Sequence, residues 1–229
     1  MNGIQKLFAE VPRTYQFVNH LLTGGLDIAW RHRAVRLAAR SPGNRWLDVC
    51  SGTGETALYL SRSAPPGTTV HAADFSMPML RQLQSVAGER AIHLSVAEAG
   101  QLPFPDETFG LVTISFATRN INTSRTALVR RLGEFRRVLK PDGRFVNLET
   151  SQPRSRLLRA MVHGYVKSLV KPVGGAISGS PAAYTYLSET IPRFYPPEEF
   201  AGIIEEAGFR EVGFTSLSFG VAAIHHATR

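Results

Sequence analysis

Trp46-Leu47-Asp48-Val49-Cys50-Ser51-Gly52-Thr53-Gly54-Glu55-Thr56-Ala57 is the stretch that decides the architecture of this chain. An apolar run carrying one acid leads into a glycine-rich turn and then a helical pattern, and a second apolar run, Val70 to Ala73, ends in Asp74. Strand, tight loop, helix and second strand in that order make a parallel unit that receives a nucleotide-like ligand at the carboxyl ends of its strands. Gly52 and Gly54 let backbone approach a ligand where a β-carbon would stand in the way.

Residues 52–57 also satisfy a dinucleotide fingerprint, with Asp74 at about the right distance to bind a ribose. Asp48 argues against that ligand. A pyrophosphate at this loop would face a nearby carboxylate, whereas S-adenosylmethionine has no phosphate and carries an ammonium and a sulfonium. Asp48 is therefore expected beside the cationic part of that cofactor and Asp74 on its ribose hydroxyls. A nicotinamide-dependent oxidoreductase stays open as the competing reading.

Strands and helices alternate on either side of this unit, which predicts an α/β fold with a parallel sheet covered on both faces. Strands are predicted over 45–49, 69–73, 92–96, 111–116 and 144–149, and helices over 54–62 and 77–86, the latter with Ser76 as N-cap. Leu128, Leu132, Phe135 and Leu139 share one face of a helix over 123–140, which Lys140-Pro141-Asp142-Gly143 ends. Residues 211–226 predict a closing hairpin. A single domain over 1–229 is expected, with a helical cover over 1–40. Residues 152–196, with Tyr165, Tyr184, Tyr186 and Tyr195 among glycines and prolines, predict a substrate lid after a strand's carboxyl end.

The 229 residues suffice for one substantial core. No apolar run approaches the ~18 residues of a spanning helix, and Met1–Glu10 lacks a signal-peptide core. One cysteine, Cys50, excludes an internal disulfide framework and a cysteine metal cluster. A cytoplasmic protein with no metal is expected. The formal charge is +8, mostly arginine grouped over 31–40, 125–137 and 154–171. Solvated helix faces, an anionic membrane surface or nucleic acid each account for such a charge. Membrane ranks ahead of nucleic acid, because no aromatic-basic binding motif is present.

Together these segments resemble the class I S-adenosylmethionine-dependent methyltransferases, and more narrowly the ubiquinone/menaquinone biosynthesis C-methyltransferase family, from about Tyr15 to His226. The resemblance rests on Leu47–Leu60, Ala73-Asp74-Phe75-Ser76 with Met79-Leu80, Leu102–Phe109, Ile114-Ser115-Phe116-Ala117-Thr118-Arg119-Asn120-Ile121 and Arg137–Pro141. Ile177-Ser178-Gly179, Ala183-Tyr184-Thr185-Tyr186-Leu187 and Ala207-Gly208-Phe209 extend it. It implies a Rossmann-like, mostly parallel seven-stranded sheet with helices on both faces and a closing C-terminal antiparallel hairpin. Cofactor contacts are implied at Thr53, Asp74, Phe75, Glu98, Ala99 and Ser115, beside the expected Asp48, Gly52 and Gly54. The chain departs from the family pattern at Cys50, Ala117 and Asp142, where glycines are usual. It departs also at Gly110 and at Gln16 after Tyr15, where an Asp is usual.

The implied reaction is C-methylation of a polyprenyl quinol, either a naphthoquinol (demethylmenaquinol to menaquinol) or a benzoquinol. A quinol ring carbon is a poor nucleophile until an adjacent hydroxyl gives up its proton. Arg119 and Asn120 follow the fourth strand, where an open α/β sheet places its ligands. Arginine stays protonated, so Arg119 is expected to stabilise the phenolate while Asn120 and Tyr15 hold a water that removes the proton. The plainer alternative is that Arg119 pairs with a carboxylate. His20 and His163 are candidate direct bases. His20, Tyr184 and Tyr186 are expected on the substrate side, with Phe17, Leu21, Leu22 and Leu187 walling a prenyl cleft or packing the core. Expected partners are the lipid-soluble quinol, an anionic membrane surface on its cytoplasmic face and a second copy as a homodimer, and no nucleic acid. Two further readings stay open: a phospholipid or other small-molecule acceptor, and a non-catalytic module binding RNA.

Overall fold

The computed structural model describes residues 15–88, 92–178 and 181–229. Seven strands form one sheet in the order β3-β2-β1-β4-β5-β7-β6. They are β1 (Arg45–Val49), β2 (Thr69–Asp74), β3 (Ile92–Val96), β4 (Phe109–Ser115), β5 (Leu139–Thr150), β6 (Arg210–Leu217) and β7 (Ala222–Thr228). The first five run parallel, and β7 is antiparallel to both β5 and β6. All five predicted parallel strands and the closing hairpin are present.

The helices are α1 (Tyr15–Thr23), α2 (Leu26–Ala38), α3 (Glu55–Ser63), α4 (Met77–Ala87), the short α5 (Thr118–Ile121), α6 (Arg125–Val138), α7 (Arg156–Tyr165), α8 (Lys171–Ser178), α9 (Pro181–Thr190) and α10 (Pro197–Glu206). Ser76 caps α4 as expected, its side chain accepting from the Met79 N–H. α6 ends at Val138, before the predicted stop, because Leu139 is extended and pairs with Phe109 of β4. The predicted turn at Lys140–Gly143 lies inside β5, between the Leu139–Phe109 and Arg144–Leu111 pairs. Asp142 adopts φ +60° there, a conformation that aspartate tolerates better than most side chains.

Alternation along the strands builds a core on each face. Leu47 and Val49 join Phe109, Phe145, Phe135 of α6 and Phe200 of α10 on one side. Trp46 and Leu111 join Trp30 of α2, Leu60 of α3 and Leu83 of α4 on the other. A third cluster lies apart from both, where Val18 and Leu22 of α1 meet Val166, Val170, Tyr184 and Leu187. It fastens α1 onto the 152–196 excursion, so the two segments expected outside the sheet pack on each other. No helix among the described residues is long and apolar enough to cross a membrane.

Candidate functional site

The chain leaves β1 through Cys50 and β4 through Phe116, at φ +53° and +55°. These left-handed turns in non-glycine residues are locally unfavourable and recur at ligand sites. Asp74, at the end of β2, ties the β1 loop down. Its Oδ2 accepts from the Gly52 N–H and its Oδ1 from the Ser76 N–H, each at 2.8 Å. The loops surround a cleft of about 190 Å³. Its wall brings together Asp48, Gly52, Thr53, Asp74, Phe75, Glu98, Ala99, Ser115 and Asn120, all expected from sequence. Gly54 has a different duty: at φ +86° it packs so tightly that a Cβ would lie 2.2 Å from a Leu83 methyl. Gln16, one of the departures, donates its side-chain N–H to the Thr53 hydroxyl and lines the cleft.

Burial pushes the Asp48 carboxyl up to about 7, against the Thr113 hydroxyl, which donates to it at 2.7 Å. Burial also raises Asp74, opposed by its two backbone N–H donors. The Cys50 thiol is held well above its ordinary value by burial and then by the Asp74, Asp48 and Glu98 carboxylates, which makes it a poor nucleophile. Two arginines share the wall, but Arg31 is 3.2 Å from Glu55 and Arg131 donates to the Ile121 carbonyl. Ser51 Oγ and Asn120 Oδ1 are buried without a hydrogen-bond partner. A cleft lined by four carboxylates, Asp48, Glu55, Asp74 and Glu98, and holding orphaned oxygen acceptors suits a cation bearing hydroxyls, as S-adenosylmethionine is, and opposes a diphosphate.

Beyond Asn19, Arg31 and Phe116, which line both spaces, lies a second cavity of about 620 Å³. Its walls are mostly apolar: Leu22 and Leu26, Trp30, Leu158 and Met161 of α7, and Leu187 of α9. Arg31 stacks over the Phe116 ring at 4.7 Å where the two spaces meet. Arg119 lies in the cavity wall, its Nη1 donating to Glu149 Oε1 at 2.6 Å and its backbone N–H to Oε2 at 3.2 Å. Arg119 Nε is buried without a partner. Arg119 thus makes the carboxylate pair of the plainer alternative and lines the second cavity as well.

Of the expected substrate-side residues, Leu21, Leu22 and Leu187 line the cavity. Tyr184 is fully buried behind the wall and donates to Asn19 Oδ1 at 3.3 Å. Tyr186 is outside both walls. Two residues apart on a helix point about 200° apart, so the pair cannot share one cleft. His163 is engaged by Gln152 Oε1 at 2.8 Å. The side chain of Tyr15 lies outside the described residues.

His20, expected on the substrate side, lines neither space; its Nδ1 lies 2.7 Å from Asp27 of the cavity wall and its Nε2 3.1 Å from Glu55 of the cleft wall. These three residues offer one nitrogen and two oxygens within 4.8 Å of one another, a potential set of metal ligands whose imidazole nitrogens are both already engaged. Asn19, Asp27, Arg31 and Glu55 were not singled out by the sequence reading. The signal available was the four-residue spacing of Asp27 and Arg31.

A family model described as the ubiE/COQ5 methyltransferase family matches residues 1–229. The chain is 40% identical to a demethylmenaquinone methyltransferase of Thermus thermophilus, over 97% of this chain and 100% of that one. It is 38% identical to the ubiquinone/menaquinone biosynthesis C-methyltransferase UbiE of Geobacter sulfurreducens, over 97% of this chain and 86% of the relative. Among solved structures, a SAM-dependent methyltransferase of Aquifex aeolicus shares the fold, with a TM-score of 0.62 at 19% identity, covering 86% of this chain and 88% of that one.

Proposed function

The chain belongs to the ubiE/COQ5 methyltransferase family, and on that premise we propose that it C-methylates a polyprenyl quinol, demethylmenaquinol to menaquinol, with S-adenosylmethionine as donor. The observation that carries this reading is the apolar cavity of about 620 Å³ that meets the acidic cleft at Asn19, Arg31 and Phe116. A lipid-tailed ring can lie in the cavity with its edge toward the cleft.

When bound, S-adenosylmethionine supplies the electrophilic methyl group. Asp74 would hold the ribose hydroxyls, with Asp48 and Glu98 contributing negative charge around the cation. The cavity walls keep water from the acceptor ring, which favours a reaction between an anionic ring and a cationic donor. Arg119 would stabilise the phenolate through its unpaired Nε–H, and Asn120 Oδ1, equally unpartnered, would hold a water or hydroxyl proton.

The mouth of the cavity supports a finer reading, in which the protein docks on an anionic bilayer. Leu21, Leu26, Met161 and Tyr165 are exposed at its rim, Leu157 and Leu169 extend the patch, and Lys167 and Lys171 are exposed alongside. Apolar side chains flanked by cations suit insertion among acyl chains beneath anionic head groups.

The decisive assay offers the purified protein labelled S-adenosylmethionine with demethylmenaquinol or with a methoxy-benzoquinol analogue. Label in the first product and little in the second is expected. Incorporation into neither would remove the reading.

A further inference from the structure

Among the described residues, the cavity wall contains one carboxylate, Asp27, on α2 one turn before Arg31. Its Oδ1 accepts from the Thr23 hydroxyl at 2.6 Å and its Oδ2 lies 2.7 Å from His20 Nδ1. The other ring nitrogen of His20 is 3.1 Å from Glu55, which lines the cofactor cleft and is held in turn by Arg31 at 3.2 Å. One imidazole therefore joins an acid in the acceptor cavity to an acid in the cleft. Asp27 is 4% exposed, so its link to the cleft runs through protein groups.

We propose that Asp27 accepts the hydroxyl proton of the acceptor and that His20 conducts it to Glu55. This rests on the quinol reading above. The acceptor O–H bond breaks and its electron pair stays on oxygen, delocalised into the ring, while the proton passes to an Asp27 oxygen that still has an unused lone pair. With a proton on each ring nitrogen, His20 bridges the two carboxylates; as Asp27 becomes neutral, Nε2–H passes to Glu55 and the imidazole ends neutral with Nδ1–H still directed at Asp27. The ring carbon then bonds the methyl as the methyl–sulfur bond breaks with its pair left on sulfur. That carbon next gives up its hydrogen as a proton to the water that Asn120 would hold, the C–H pair restores the aromatic ring, and the ring oxygen takes its proton back along the relay. One proton is released per methyl transferred. Asp27 is the catalytic residue in this scheme. His20 and Glu55 act through it.

The test is single-turnover methyl transfer by the full chain loaded with S-adenosylmethionine, using wild type, Asp27→Asn, His20→Gln and Glu55→Gln. Each meets two acceptors: demethylmenaquinol, and a quinol made acidic by an electron-withdrawing ring substituent so that its hydroxyl is already ionised. With demethylmenaquinol, Asp27→Asn and His20→Gln are expected to lose about 100-fold, a usual scale for proton transfer by a positioned group. With the ionised acceptor they should come within about threefold of wild type. A merely structural role would depress both acceptors alike, and that result overturns the relay, as do unchanged rates with demethylmenaquinol. If Asp27→Asn fails to fold, His20→Gln and Glu55→Gln carry the same comparison. A wild-type rate that requires Mg²⁺ or Mn²⁺ and falls with EDTA would make the cluster a cation site and also overturns the relay. No transfer by wild type overturns the quinol reading itself, whereas transfer by all variants at the wild-type rate overturns the relay alone.

Discussion

The Arg119 guanidinium meets the Glu149 carboxylate at 2.6 Å with both side chains buried, at the wall of the apolar cavity. Glu149 also accepts from the Thr150 backbone N–H at 2.8 Å, so the pair fastens the end of β5 to α5.

Removing Arg119 alone leaves a buried charge unpaired, so Arg119→Ala should destabilise by about 3–5 kcal/mol. Adding Glu149→Gln should recover most of that loss in a thermal melt. If Arg119 also stabilises the phenolate, the double variant regains its melting temperature but not its turnover. Recovery of both in the same preparation would leave Arg119 with a structural duty alone.

If Asp48 faces the bound cation as proposed, cofactor affinity should depend on pH. Its folded value of about 7 lies above the ordinary 3.8. The stability it contributes is therefore complete below the ordinary value and lost as pH rises through about 7. A bound cation favours the carboxylate, so a proton must leave on binding at low pH. Titration calorimetry should find S-adenosylmethionine bound about tenfold more weakly at pH 6 than at pH 8. Asp48→Asn should bind weakly with no such slope, and should gain stability relative to wild type between pH 5 and 8.

Asp74 ties down the loop through Gly52 and Ser76 and is the residue proposed to hold the ribose. Asp74→Ala frees the Gly52 and Ser76 N–H groups and removes the ribose acceptor. Hydrogen bonds to a charged group contribute about 1.5–3 kcal/mol each, so cofactor affinity should fall about 100-fold. A melting temperature lowered by several degrees is expected beside it. An unchanged dissociation constant would mean that the ribose lies elsewhere.

Gly110 departs from the family pattern for a steric reason. A Cβ there would sit 1.9 Å from the Pro42 carbonyl oxygen, a backbone atom. Gly110→Ala should cost about 2–4 kcal/mol in chemical denaturation, as the loop before β1 is pushed away. Gly133 in α6 has nothing within 4 Å of its Cβ position. Gly133→Ala is the control and should stabilise by about 0.5–1 kcal/mol.

Vesicle sedimentation tests the bilayer reading. The protein should pellet with phosphatidylserine vesicles at low salt and release at high salt, where surface charges are screened. Lys167→Glu with Lys171→Glu should abolish pelleting at low salt, and Leu157→Ser with Met161→Ser should weaken it. Absence from the pellet at every salt concentration would remove the reading.

Local pattern carried the fold and half of the site. The spacing of apolar residues fixed the parallel strands, and the glycine loop between two acids placed Asp48, Gly52, Thr53 and Asp74 around one cleft. That works because strand, turn and helix follow from neighbours a few residues apart. The acceptor side was not legible in the same way. Arg31 read as one more arginine in a basic run, although its neighbours are Glu55, which opens α3, and Phe116, which follows β4. Asp27, His20 and Glu55 meet only after α1 and α2 have docked against α3. Tyr184 and Tyr186 look alike in sequence, yet packing against Gly174 buries the first and leaves the second outside both walls. Side chains distant in sequence become partners through core packing, and periodicity says nothing of which faces will touch.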